Sequence, residues 1–319
     1  YQFLTVFCDL SYSMKSVCHT CFPFGMTVLV SVHYSSTNLS LNTATKEFSG
    51  TVSVALTNQG DSVYSNIKLL YWPLAYQQMG TKLAAELLEN QNARLRFSKA
   101  EDCGKTQLSV KIIRPDQTSQ PLYITEELTV IQETLKPGQT LNLRFELVAI
   151  LPNAVFNGYG VSTSTLRLSH WLPRISAANN TQNDAFNSSN RESWSYPATY
   201  DLQLSLSEGV NICTNLKLVP TPKSAKPFYH LRSTQPQTDA LIFLFANGTR
   251  LPIQNDSTTV LLFFSGDFPA FNTNSTVSKT KAFLKRELGM NLPDSLKIVF
   301  VENKGGLQSA GNCIVLEKN

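Results

Sequence analysis

The chain has 319 residues, a formal net charge of +4, 42% hydrophobic residues and 16% charged residues. This length and hydrophobic content suffice for two domains with their own cores and exclude an intrinsically disordered protein. The lysines and arginines are scattered singly rather than gathered into a basic block, which excludes nucleic-acid binding as the main function.

The first 32 residues form a segment with two interpretations. Residue 1 is Tyr rather than Met, so the sequence is a processed form or a piece of a longer reading frame. The apolar stretch at residues 21–32 has the length of a signal-peptide core but is too short to span a bilayer as a helix. Residues 1–32 are therefore a leader for export to the periplasm or beyond, or irregular sequence before the first strand of a cytoplasmic protein. No transmembrane helix is predicted.

From residue 33 to residue 218 the dominant pattern is an alternation of apolar and polar residues. The clearest case is LNLRFELVAI, in which Leu141, Leu143, Phe145 and Leu147 alternate with polar residues. TVSVALT, LSVKII and YDLQLSLS repeat the pattern. Alternation with period two places one face of each strand in a core. Many such strands joined by turn-rich segments predict an antiparallel β-sandwich or saddle.

Three segments interrupt the predicted strands. GTKLAAELLEN predicts a helix, and Leu83, Leu87 and Leu88 on one face of it are expected to be core residues. SAANNTQNDAFNSSNRES, at residues 176–193, is poor in apolar residues and predicts an exposed loop. VPTPKSAKP, at residues 219–227, carries three prolines that cannot donate to a sheet, and the first domain is expected to close near it.

After residue 241 the pattern changes to short, continuous apolar runs, namely LIFLFA, TVLLFF, KIVFV and CIVL, with an amphipathic helix at residues 278–288. Such runs are typical of strands buried on both faces beside helices. The predicted organisation is therefore a β-saddle at residues 33–245 and the start of a mixed α/β unit at residues 246–319. Because one helix cannot cover both faces of the second sheet, this sheet is expected to be incomplete, with one face uncovered.

The cysteines and histidines predict neither a disulfide framework nor a metal site. Cys8, Cys18 and Cys21 lie in the N-terminal segment, and Cys103, Cys213 and Cys313 are far apart in the sequence. Cys18-His19-Thr20-Cys21 has the spacing of half a zinc site but lacks a second pair of ligands. His170 is expected to be a packed residue on a strand, and Asp239, Asp256 and Asp267 are expected in turns. No nucleophile elbow or phosphate-binding loop is present.

Five segments share a further pattern with proteins of known fold. HYSSTNLSLNTATKEFSGTVSVALTN contains Phe48-Ser49-Gly50 ahead of an alternating strand, and LKPGQTLNLRFELVAILP places a Leu-x-Pro-Gly turn before a long strand. LRLSHWLPRI contains a Trp-x-Pro-Arg sequence at Trp171, Pro173 and Arg174 and precedes the strand pair YDLQLSLSEGVNICTNLKL. The fifth segment is the closing LKIVFVENKGGLQSAGNCIVLEKN. In this order, the segments resemble the zinc aminopeptidases of the aminopeptidase N type, in their bacterial branch.

The resemblance implies a β-saddle domain followed by a thermolysin-like catalytic domain that hydrolyses peptide bonds with a zinc-bound water. In that family the zinc ligands and the general base lie in a His-Glu-x-x-His helix. None of the four histidines of this chain is part of such a motif. The motif follows shortly after the glycine-rich loop in the family, so this chain corresponds to the N-terminal part only. By itself it is expected to be inactive, and zinc is implied only for a full-length member.

The glycine-rich loop is the one substrate-binding segment of the family that falls within the chain. It usually reads Gly-x-Met-Glu, and its Glu binds the free α-amino group of a peptide substrate. The alignment puts Gly305 and Gly306 at the turn, Leu307 at the Met and Gln308 at the Glu. An amide supplies no charge to an ammonium group, so aminopeptidase specificity is in doubt. These glycines could equally serve only a tight turn.

Two other functions remain open from the sequence. The first is a non-catalytic interaction protein that keeps the peptidase scaffold for binding, and Gln308 favours it. The second is a carbohydrate-binding sandwich, which would need a row of exposed aromatic residues on one face, and the Tyr and Trp residues form no such row in the sequence. The oligomeric state cannot be derived from these patterns.

Overall fold

The computed structural model describes residues 30–77, 80–89, 99–114, 118–124, 128–153, 159–162, 165–176, 195–207, 210–221, 227–245, 248–255, 258–265, 278–279, 282, 285–286, 295–301, 309–310 and 312–317. The strands are, in chain order, β1 (Val30–Ser36), β2 (Leu39–Asn42), β3 (Glu47–Asn58), β4 (Tyr64–Leu70), β5 (Lys105–Ile113), β6 (Ser119–Tyr123), β7 (Leu128–Leu135), β8 (Thr140–Ile150), β9 (Gly160–Val161), β10 (Thr165–Leu168), β11 (Arg174–Ile175), β12 (Ala198–Leu206), β13 (Asn211–Thr214), β14 (Lys217–Val219), β15 (Phe228–Arg232), β16 (Ile242–Phe245), β17 (Gly248–Asn255), β18 (Thr258–Ser265), β19 (Ser295–Val301), β20 (Ser309–Ala310) and β21 (Cys313–Glu317). A helix, α1, spans Lys82–Glu89, and 3-10 turns span Trp72–Tyr76 and Ala100–Asp102.

Four sheets make up a mainly β fold, as predicted. The largest has nine strands in the order β14-β15-β12-β1-β3-β8-β5-β6, with β2 beside β12 and β3. A four-stranded sheet (β13-β16-β10-β9) and a three-stranded sheet (β11-β4-β7) also use strands from residues 30–245. A five-stranded sheet (β17-β18-β19-β21-β20) uses only later strands.

The main core lies between the nine-stranded sheet and the two smaller sheets. Val52, Phe145 and Val110 are paired across β3, β8 and β5, and each is fully buried. Their sequence neighbours point to the opposite face, which is polar and accessible, so the predicted alternation is confirmed. The sheet is not purely antiparallel, because β12 inserts parallel to both β1 and β2.

The first strand begins earlier than the predicted boundary at residue 33. Val30, Ser31 and Val32 pair with residues of β3 in the antiparallel ladder, and Val32 is buried. These three residues, from the end of the apolar stretch, therefore belong to the sheet.

Strand β16 separates two cores. Ile242 and Leu244 belong to the main core, whereas Phe243 and Phe245 belong to a second core on the other face of the four-stranded sheet. The five-stranded sheet closes this second core, and Phe245 stacks on Phe263 with ring centroids 6.2 Å apart. The continuous apolar run LIFLFA thus reflects a strand of the four-stranded sheet that is buried on both faces.

The inner strands of the five-stranded sheet are buried on both faces, which corrects the expectation of an uncovered face. One face carries Phe263 and Val299 and packs on the four-stranded sheet. On the other face, Val260, Leu262 and Ile298 are at most 2% exposed. Residues 278, 279, 282, 285 and 286, between the parallel strands β18 and β19, are helical and exposed. A crossover helix is the usual way to connect two parallel strands and to cover one face of their sheet.

Helix α1 forms where it was predicted, but Leu88 is not a core residue. Thr81 accepts a hydrogen bond from the amide of Ala84 and donates one to the carbonyl of Ala75, so the first turn is capped and tied to the 3-10 turn. Ala84 is buried there, whereas Leu88 in the last turn is 40% exposed. The helix has eight residues and extends beyond its contact with the 3-10 turn. Helical spacing in the sequence does not show which turns of the helix have a packing partner.

Candidate functional site

The predicted site residues Gly305, Gly306, Leu307 and Gln308 lie outside the described residues. The structure fixes the elements that flank them, because β19 ends at residue 301 and β20 begins at residue 309. The segment therefore runs from the end of a buried parallel strand to the outermost strand of the five-stranded sheet.

Strand β20 is an antiparallel edge strand. It pairs with β21 through Ser309 with Ile314 and Ala310 with Cys313. Among the described residues, no strand pairs with its other side. Edge strands present free backbone donors and acceptors, and an extended peptide can add to them as a further strand.

The turn between β20 and β21 is anchored to the start of β19. The Asn312 side-chain amide donates to the carbonyl of Ser295 at 3.0 Å, and the Asn312 carbonyl accepts the amide of Lys297 at 2.8 Å. These bonds hold the edge hairpin against the central strand, so the edge is presented by a rigid support.

The Trp-x-Pro-Arg segment is a buried structural junction. The Trp171 indole donates to the carbonyl of Ala240 at 2.7 Å, and the Tyr34 hydroxyl donates to the carbonyl of Pro173 at 2.6 Å. The Arg174 guanidinium donates to the carbonyl of Thr238. These contacts fix the loop that leads into β16, and thereby the strand that carries the second core.

His170 is not a strand residue, contrary to the expectation from its neighbours. It follows β10 with a positive φ of 54° and is buried. Its backbone amide donates to Asp239 Oδ2 at 2.8 Å, and its ring Nδ1 lies 3.6 Å from the same oxygen. Asp239 lies in the irregular segment between β15 and β16, and its partners are long-range as well as local. Asp256 and Asp267 lie outside the described residues.

Asp239 is an acid held in a desolvated site. Burial raises the pKa of this carboxyl, and the nearby Arg174 charge and the amides of His170 and Ala240 oppose that rise only in part. Its carboxyl accepts the amides of His170 and Ala240, so it holds the junction together.

A second aspartate forms an ion-pair group on the outer face of the nine-stranded sheet. His230 Nε2 donates to Asp201 Oδ1 at 2.5 Å, and Arg232 Nη2 donates to Asp201 Oδ2 at 2.6 Å. Burial by itself raises the pKa of the Asp201 carboxyl, but the bonds from His230 and Arg232 and the charge of Arg232 lower it overall from its ordinary value.

Replacing this aspartate by Asn is expected to reduce the sensitivity of the protein to acid. Because the pKa of Asp201 is lowered in the folded state, its stabilising contribution is complete above the ordinary value of about 3.9 and is lost as the pH falls through the lowered value. The Tm of Asp201→Asn should therefore lie below that of the wild type near pH 7, and the difference should shrink near pH 3. Thermal unfolding followed by circular dichroism at both pH values measures this. A difference in Tm that is the same at both pH values would contradict the lowered pKa of Asp201.

A small polar depression of about 160 Å³ lies on the same outer face. Arg144 is its one charged side chain, and the other lining residues are Ser35, Ser36, Thr37, Asn38, Thr51 and Ser53. Its lining contains neither a second charge nor an acid–base pair, so it offers no catalytic chemistry.

The described part of the chain contains no cluster of three or more His, Cys, Asp or Glu residues arranged to hold a metal ion. His33 bonds to Thr199, His170 faces Asp239 and His230 faces Asp201, so the three described histidines lie in separate places. The zinc set of the aminopeptidase family does not fit these residues. No helix in the described ranges is long and apolar enough to cross a membrane.

No protein-family profile and no curated protein matches the sequence. Solved structures similar to this chain are M1 zinc metallopeptidases. One is a mutant enzyme from Deinococcus radiodurans with a bound Tyr-Ser-Ala substrate, at 14% identity and a TM-score of 0.47, with 86% of this chain and 57% of that chain covered. Another is a two-domain M1 zinc metallopeptidase mutant bound to L-tryptophan, at 14% identity and a TM-score of 0.46, with 88% of this chain and 59% of that chain covered. This chain therefore spans less than two thirds of the length of these structures.

Proposed function

We propose that this chain is the N-terminal part of a zinc metallopeptidase of the aminopeptidase N type, which hydrolyses peptide bonds when complete. This chain would comprise the β domain and the first sheet of the catalytic domain. A peptide substrate would bind along the edge of that sheet. Export to the periplasm or outside the cell is part of the proposal, with a cytoplasmic location as the alternative.

The observation that carries the proposal is the position of the edge strand. Strand β20 directly follows residues 305–308 and lies antiparallel at the end of a sheet whose inner strands β18, β19 and β21 are parallel. Extended peptides bind to such an edge through backbone hydrogen bonds. The four quoted residues would then meet one end of the peptide, which is where a peptidase of this type recognises it.

By itself the chain is expected to have no peptidase activity, because it contains no His-Glu-x-x-His. Purified chain incubated with zinc and with both aminoacyl and internal peptide substrates should give no zinc-dependent hydrolysis. Hydrolysis that requires zinc and disappears with a chelator would contradict this.

Gln308 is proposed to bind peptides without selecting a free N-terminus. Gln308→Glu should change this, since a carboxylate brings an opposite charge to the ammonium group whereas an amide offers only an uncharged carbonyl oxygen. The variant should bind a peptide with a free N-terminus about tenfold more tightly than its acetylated form, while the wild type binds both alike. Fluorescence anisotropy with labelled peptides measures both affinities.

Gln139→Glu is the matched control, because it makes the same charge change on the exposed turn before β8. It should leave the two affinities equal. If Gln308→Glu also fails to distinguish the two peptides, residues 305–308 do not contact the peptide N-terminus.

The alternative is a non-catalytic binding protein on a peptidase scaffold, which Gln308 favours. The coding DNA beyond the codon for Asn319 distinguishes the two. A His-Glu-x-x-His motif within about fifty codons supports the peptidase, since one helix behind the sheet must carry it. A stop codon, or a continuation without the motif, supports the binding protein.

A further inference from the structure

Two buried cysteines meet between the four-stranded and the five-stranded sheet. Cys213 lies on β13 and Cys313 on β21, and both belong to the second core. They are 1% and 0% exposed, and neither is in a disulfide. The sequence separates them by about one hundred residues, so nothing local predicts the contact.

Lys297 connects β13 and β21, the strands that carry the two cysteines. Cys313 is the register partner of Lys297 on the neighbouring strand β19. The ammonium group of Lys297 donates to the carbonyl of Thr214, the residue after Cys213, and to the carbonyl of Leu216 at 3.4 Å. The side chains of Cys213 and Cys313 lie together in the second core, close enough for Cys313 to raise the pKa of the Cys213 thiol.

The surroundings make these thiols slow to react once the protein is folded. Burial raises the pKa of the Cys213 thiol, as does the contact with Cys313, and the charges of Lys297 and Arg250 oppose this only in part. The thiolate is the form that attacks a disulfide, so exchange is faster while the two sheets are still apart.

We propose that Cys213 and Cys313 form a disulfide that joins the four-stranded sheet to the five-stranded sheet when the chain folds in the presence of a glutathione-type disulfide. The Cys213 thiolate attacks one sulfur of the oxidant and releases one glutathione thiolate. The Cys313 thiolate then displaces the second glutathione from the mixed disulfide. The two cysteines are oxidised, one glutathione disulfide is reduced to two glutathione molecules, and the two thiol protons end on them.

The cross-link would restrict the unfolded chain more than the folded one. It closes a loop of about one hundred residues, for which the loss of chain entropy is large. Both cysteines already belong to the second core in the folded state, so a bond of about 2.0 Å would form within one packed cluster. The oxidised protein should therefore have a Tm about 5–10 °C above that of the reduced protein.

The experiment is refolding of the denatured, reduced chain in glutathione buffer, with a parallel sample kept in dithiothreitol. Free thiols are trapped by acid and alkylation, and proteolysis without reduction is followed by mass spectrometry. The expected result is a peptide pair that links Cys213 to Cys313, with the rise in Tm only in the oxidised sample.

Cys103→Ser is the matched control, because Cys103 is a free cysteine outside the second core. It should keep the linked peptide and the rise in Tm, whereas Cys213→Ser and Cys313→Ser should lose both. Oxidised wild type with both thiols still alkylated, or linked to other cysteines, would overturn the proposal. The search for the linked peptide uses only the wild type, so it tests the proposal even where a serine variant fails to fold.

Discussion

Gly160→Ala is expected to lower the free energy of unfolding by about 3–5 kcal/mol. Gly160 has a φ of +117°, a conformation that residues with a side chain rarely adopt. A β-carbon there would lie 2.1 Å from the carbonyl oxygen of Pro152, closer than any real contact. The same oxygen accepts the amide of Val161, so the two backbones cannot move apart without loss of that bond. Urea unfolding followed by tryptophan fluorescence measures the change.

Gly138→Ala separates backbone strain from this close approach. Gly138 has a φ of +77°, but no atom lies within 4 Å of a β-carbon built on it. Only the conformational strain remains, so a loss of about 1–2 kcal/mol is expected. Equal losses in the two variants would mean that the approach of Gly160 to Pro152 does not limit stability.

Asp239→Ala is expected to lower the free energy of unfolding by about 3–5 kcal/mol, because it leaves buried partners without their acceptor. The amides of His170 and Ala240 both donate to this carboxyl, and the nearby residue Arg174 is 3% exposed. Loss of the junction would also release the loop that leads into β16, so a less cooperative transition is expected. Urea unfolding gives the free energy and the slope.

Asp201→Ala is the matched control, since Asp201 also pairs with a histidine and an arginine. Its side chain is 28% exposed, against 7% for Asp239, and exposed ion pairs contribute about 0–1 kcal/mol. Asp239→Asn should fall between the two alanine variants, because an amide keeps one acceptor oxygen but presents a donor to the second amide. A small effect of Asp239→Ala would show that water replaces the carboxyl at the junction.

The pKa values of Asp239 and Asp201 shift in opposite directions because Asp239 is more deeply buried than Asp201. The pKa of Asp239 is raised, so any stability that depends on its protonated form is present below the ordinary value and lost as the pH rises through the raised one. The pKa of Asp201 is lowered, so its contribution is lost as the pH falls. The two aspartates therefore respond to pH in opposite directions within one domain.

The strands and the mainly β class followed from the sequence because their cause is local. In β8, alternate residues such as Leu143 and Phe145 must enter one core, and a period of two records this directly. The helix at Lys82–Glu89 followed in the same way from helical spacing. The continuous apolar runs of β18 and β19 predicted buried strands, but the expectation of an uncovered face was wrong, because Val260, Leu262 and Ile298 are buried on that side.

Other features depend on partners that are distant in the sequence. Leu88 is exposed because the contact of α1 ends before the helix does, and His170 leaves the strand because its amide binds Asp239, 69 residues away. The insertion of β12 parallel to β1 and the assignment of LIFLFA to the four-stranded sheet have the same origin.

The sequence by itself determined where most strands form and that the chain holds no His-Glu-x-x-His, since both depend on neighbouring residues alone. The tertiary structure decided that β20 is a sheet edge, that β16 separates two cores and that Cys213 meets Cys313. Periodicity records which face of an element is buried but not which element buries it, and that choice is made by the packing of the whole chain.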